Sequence, residues 1–72
     1  MRIYKASYTY NHEGFGVAYM YCSLGCKPIT TKIKEDEGSR ALVDYIQRYF
    51  SENFNGDELI SIAYAGQKSR EW

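Results

Sequence analysis

Hydrophobic and polar positions alternate with a period of two over residues 2–10 and again over residues 15–23. Both stretches are rich in aromatic and β-favouring residues, so each predicts a strand. Between them lies Asn11-His12-Glu13-Gly14. A three-residue loop, His12-Glu13-Gly14, suits a type I turn followed by a left-handed residue, which Gly14 supplies without steric cost. The loop length fixes the register, and the register decides the faces. Asn11 then stands opposite Phe15, Tyr8 opposite Ala18 and Tyr4 opposite Cys22. One face collects Tyr4, Ala6, Tyr8, Tyr10, Gly16, Ala18, Met20 and Cys22; the other collects Ile3, Lys5, Ser7, Thr9, Phe15, Val17, Tyr19 and Tyr21. The first set is almost wholly apolar or aromatic and the second is mixed. A loop of two or four residues would shift the pairing by one and mix the two sets.

Leu24-Gly25-Cys26-Lys27-Pro28 reads as a turn region. Residues 29–34 predict a third strand, with Ile29, Thr31 and Ile33 on one side and Thr30, Lys32 and Lys34 on the other; Glu35-Asp36-Glu37-Gly38 ends it. Over residues 39–52 the period becomes helical, and Leu42, Tyr45, Ile46, Tyr49 and Phe50 form one apolar stripe. Ser39 or Asp36 is expected to cap that helix, and the acids ahead of it suit its dipole. Arg40, Asp44, Arg48 and Glu52 step by four with alternating sign along the solvated side. Asn53-Phe54-Asn55-Gly56 ends the helix. Residues 58–65 predict a fourth strand, with Ile60, Ile62 and Tyr64 facing one way and Leu59, Ser61 and Ala63 the other.

The order β-β-β-α-β predicts an α+β fold: a single small domain over residues 1–66, with one helix on one face of a mostly antiparallel four-stranded sheet. The first three strands form a meander, and the helix crosses over to lay the fourth strand parallel to a neighbour. The covered face is assigned to Tyr4, Ala6, Tyr8, Ala18, Met20, Ile29, Ile33, Ile60 and Ile62, packed on the helix stripe. The opposite face has no cover within the chain. Residues 67–72 are expected to be a polar tail, with Trp72 able to dock.

Composition sharpens this picture in three ways. A chain of 72 residues buries only ~60% of its unfolded surface, so its core is marginal, and two cysteines cannot build a disulfide framework. Nine basic residues balance nine acidic ones, which argues against a duplex-DNA binder driven by phosphate neutralisation. No apolar run approaches the ~18 residues of a membrane span and no signal-peptide pattern opens the chain, so a cytoplasmic protein with reduced thiols is expected. Eight tyrosines are the outlier; tyrosine serves both as a strand-favouring core filler and as a rigid contact at interfaces.

No catalytic or metal constellation emerges. Cys22 and Cys26 lack the second ligand pair that zinc needs. His12, the single histidine, has Glu13 beside it but no nucleophile or oxyanion hole. Gly14-Phe15-Gly16 leads into a strand, the wrong context for a dinucleotide fingerprint. Glu35-Asp36-Glu37 lacks calcium-loop spacing. The chain is therefore expected to be no enzyme and to hold no metal or cofactor.

The β-β-β-α-β order is similar to the reduced ribonuclease-H-like fold of HicB-type antitoxins. Glu13-Gly14-Phe15-Gly16-Val17-Ala18, followed by Gly25-Cys26, resembles that family's glycine, strand, leucine-x-glycine-cysteine stretch, across residues 13–50. The resemblance implies a fold and no more. The family's strand proline is absent, and Ser7 and Thr9 stand where ribonuclease H activity would need acids on the first strand.

The uncovered face would display Lys5, Phe15, Val17, Tyr19, Tyr21, Lys32 and Lys34. Aromatics flanked by lysines suit a protein-interface hot spot, and they also suit a stacking platform for single-stranded nucleic acid. The expected role is a small protein-binding module of the inhibitor, antitoxin or adaptor kind that phages and mobile elements encode. The alternatives are a single-stranded nucleic-acid binder on the same face and a homodimer that buries it.

Overall fold

A computed structural model describes residues 1–66, so the expected tail and the docking of Trp72 lie outside the described residues. The elements follow the expected order: β1 (Ile3–Tyr10), β2 (Phe15–Cys22), β3 (Gly25–Lys34), a single 3-10 turn (Glu35–Glu37), α1 (Ser39–Asn53) and β4 (Glu58–Tyr64). They form a four-stranded mixed sheet in the order β3-β2-β1-β4. β1–β2 and β2–β3 are antiparallel, and the helix carries the chain across the sheet so that β4 lies parallel to β1.

The first hairpin has the odd loop. Tyr8 pairs with Ala18 and Lys5 with Tyr21. Gly14 carries φ +85°, the left-handed region that glycine occupies freely. Asn11 closes the loop twice over. Its backbone N–H donates to Phe15 O at 2.8 Å, and its side-chain Oδ1 accepts from the Glu13 and Phe15 N–H groups at 2.9 and 3.0 Å.

The covered face packs as the register requires. Tyr4, Ala6, Tyr8, Ala18, Met20 and Ile29 form the core with Leu42, Ile46 and Phe50 of α1. α1 approaches the sheet so closely that a Cβ at Gly16 would stand 2.8 Å from a Leu42 methyl carbon and 3.0 Å from Thr31 Oγ1. At the other end of the helix, Phe54 stacks on Phe50 with ring centroids 4.6 Å apart, and the Tyr4 ring meets it edge-on at 4.8 Å. Lys27 Nζ lies 5.4 Å above Phe54. Phe54, expected only as part of the helix terminator, is thus a core aromatic.

Three expectations need correction. Gly25 to Pro28 are strand, because a two-residue link, Ser23-Leu24, lets Cys22 pair directly with Gly25. The N-cap of α1 is Gly38 with no side-chain cap. Glu37 instead caps the preceding 3-10 turn, its Oε2 accepting from the Lys34 N–H at 3.0 Å. The helix ends within Asn53-Phe54-Asn55-Gly56 as expected, with Asn53 Nδ2 donating to Tyr49 O at 2.9 Å and the positive φ at Gly56. The third correction concerns β4. A register shift places Tyr4 opposite Leu59 but Lys5 opposite Ser61, so Ile60 has no partner in β1. Leu59 and Ile62 pack against the core, whereas Ile60 is 50% exposed and does not belong to it. Tyr64 keeps the helix-side face, its ring 5.3 Å from Tyr8.

Candidate partner-binding face

The face away from α1 is built by β1, β2 and β3, whose register aligns Ser7 with Tyr19, Lys5 with Tyr21, Val17 with Thr30, Tyr19 with Pro28 and Phe15 with Lys34. Two extra residues of β3 opposite Phe15 to Val17 preserve the alternation, so Lys32 and Lys34 stay on this face. All seven expected residues therefore lie on one side of the sheet. Lys5, Phe15, Val17, Tyr19 and Tyr21 are half-buried, and Lys32 and Lys34 are exposed.

Tyr19 and Tyr21 stand side by side, ring centroids 6.2 Å apart at 32°. Beneath them Ser7 is only 3% exposed although no helix covers it; flanking side chains shield it. Burial pushes the Tyr21 phenol above its ordinary value, the neighbouring Cys26 adds to the rise, and the Ser7 hydroxyl works against it. Lys34 Nζ lies 5.0 Å over the Phe15 ring, a cation–π contact that holds this lysine over the sheet.

Strands β1 to β3 contain Lys5, Lys27, Lys32 and Lys34 and no acid at all. Among the described residues the acids gather in turns, in α1 and at the start of β4. A chain of zero net charge thus carries a locally basic sheet, which a balance taken over the whole composition conceals.

Two neighbours of the site were not anticipated. Pro28, expected in a turn, sits beside Tyr19. Ile60, expected in the core, joins Ile3, Lys5 and Tyr21 in lining a depression of about 290 Å³ at the β4 end of the face. The two-residue link between β2 and β3 was the missed signal for Pro28. A bulge leaves no comparable mark in the pattern of β4.

Cys22 and Cys26 are both free. Cys22 shares the helix side with Tyr4, whereas Cys26 pairs with Tyr21 on the open side. They point to opposite faces of one hairpin, which separates them as ligands or redox partners. Among the described residues no group of three or more His, Cys, Asp or Glu could hold a metal ion, and no helix is long and apolar enough to cross a membrane. His12 and Glu13 form an exposed pair at 3.8 Å in the turn between β1 and β2.

Comparison with protein-family models, with curated proteins and with solved structures finds no match.

Proposed function

We propose that this chain is a small, non-enzymatic protein-binding module of the inhibitor, antitoxin or adaptor kind, and that it captures an acidic surface on its partner through the open sheet face. The observation that carries the reading is the Tyr19–Tyr21 pair, ring centroids 6.2 Å apart, set among lysines in three strands that contain no acid. Paired tyrosines supply large contact area at little conformational cost, and the surrounding cations select for negative charge. The reading takes the cytoplasm as the compartment, with both thiols reduced.

The test is affinity capture with the wild-type chain and with the Tyr19→Ala/Tyr21→Ala double variant. The captured protein is identified by mass spectrometry and its binding then measured by titration. Hot-spot loss weakens binding by about 30-fold or more, while amide spectra of the variant retain the native pattern. Equal capture by a correctly folded double variant refutes the assignment.

The same aromatic surface, on three strands that contain no acid, supports a second reading, a single-stranded nucleic-acid platform. Titration with pooled oligonucleotides at low salt decides it: binding that weakens steeply with salt supports this reading, and no binding removes it.

A further inference from the structure

The two edges of the sheet are protected very differently. β3 presents Lys27, Pro28, Lys32 and Lys34 along its length, all exposed, and such residues discourage another strand from adding. β4 is Glu58-Leu59-Ile60-Ser61-Ile62-Ala63-Tyr64, with neither lysine nor proline. Two of the exposed large apolar side chains belong to it, Ile60 at 50% and Tyr64 at 56%, and Ile3 at 52% stands on the strand beside it. The Ala65 N–H donates inward to Tyr8 O. Strand alternation then turns the backbone N–H and C=O groups of Ile62 and Tyr64 outward. Among the described residues no strand pairs with that edge.

We infer that β4 is a dimerisation edge and that its occupant is β4 of a second copy of this chain, paired antiparallel about a two-fold axis through Ile62. The strand is self-complementary about that point. Ser61, Ile62 and Ala63 run small, large, small. The two-fold places Ile62 against its own copy on the helix side and Ser61 against Ala63 on the open side, and the bulge at Ile60 ends the regular pairing there. Ile62 and its copy exchange the N–H and C=O groups left outward. Tyr64, on the helix side, comes to the place where Val43 and Gln47 of α1 form a depression of about 280 Å³ with Leu59, Ile60, Ser61 and Ile62. Antiparallel pairing also sends the two Glu58 carboxylates to opposite ends, whereas parallel pairing would set like charges side by side. An axis through the sheet keeps both helices on one side and both Tyr19–Tyr21 pairs on the other. The dimer is then an eight-stranded sheet with two copies of the open face pointing the same way.

Sedimentation velocity and amide exchange on the whole 72-residue chain test this. The wild type shows a concentration-dependent monomer–dimer equilibrium, and the Ile62 and Tyr64 amides exchange more slowly as concentration rises, while amides on the outer side of β3 do not. Ile60→Lys or Tyr64→Lys weakens the dimer about tenfold or more, and Tyr19→Ala/Tyr21→Ala leaves it unchanged. The exchange measurement uses unaltered protein, so a variant that misfolds does not blunt the test. Three results overturn the inference. One is a wild type that stays monomeric with fast exchange at both amides. Another is a monomer in which they are protected, which assigns the edge to other residues of the same chain. The last is a dimer lost in the double tyrosine variant and kept in Ile60→Lys, which assigns the contact to the open face.

Discussion

Gly16 is the residue on which the helix-to-sheet distance turns. A Cβ there would fall 2.8 and 2.9 Å from the two Leu42 methyl carbons, and Leu42 is fully buried, so the side chain has little room to yield. Gly16→Ala is expected to destabilise the fold by about 1–3 kcal/mol through overpacking, read as a lower midpoint in urea. Adding Leu42→Val should recover part of the loss, because it removes the atoms in conflict. Ionisation at Tyr21 gives a second residue-scale test. Its phenol is raised above 10.0, chiefly by burial. Folding therefore favours the neutral form. The associated stability is fully present below the unfolded value near pH 10 and is lost as pH rises through the higher folded value. Tyr4 is raised in the same direction, by burial with the Cys22 thiol beside it. Denaturation midpoints followed from pH 8 upward should fall above about pH 10, and less steeply in Tyr4→Phe/Tyr21→Phe.

The first hairpin is the element that sorts the tyrosines. Its odd loop puts Tyr4 and Tyr8 in the core and Tyr19 and Tyr21 on the open face. Asn11 holds that loop through two hydrogen bonds from Oδ1. Asn11→Ala should cost about 1–2 kcal/mol and raise amide exchange at Glu13 and Phe15 while the rest of the sheet keeps its protection. The register was legible because alternation in β1 and β2, the glycine at position 14 and the asymmetry of the two faces all agree. β3 and β4 were less legible for definite reasons. The pattern of β3 is polar at both ends, so its first four residues resemble a loop. In β4 the bulge at Leu59-Ile60 breaks the period of two from which its faces were inferred, and every assignment on the N-terminal side of it is inverted.

For the whole molecule, the distribution of charge matters more than its sum. Nine cations and nine anions cancel, yet the three strands that build the open face hold only cations. A partner recognised there should bind faster at low salt. Raising ionic strength from about 0.05 to 0.15 M shortens the Debye length to about 8 Å and should slow association severalfold with little change in dissociation, measured by stopped-flow mixing. Lys32→Glu/Lys34→Glu should slow association in the same way at low salt, whereas Tyr19→Ala/Tyr21→Ala should act mainly on dissociation.

Local patterns determined the element order, the pairing of β1 with β2, the buried stripe Leu42, Ile46 and Phe50, and the set of side chains that share a face with Tyr19 and Tyr21. Each depends on a repeat of two or of 3.6 residues, or on a turn closed by neighbours in the chain, and such interactions can be read along one dimension. Two matters were decided only in three dimensions: that β4 joins β1 and leaves β3 at the opposite edge, and that Ile60 leaves the core while Leu59 and Phe54 enter or flank it. They depend on contacts between segments far apart in sequence, such as Arg2 with Glu58 and Tyr8 with Ala65. The free energy of those contacts belongs to the assembled sheet and to no single stretch of chain.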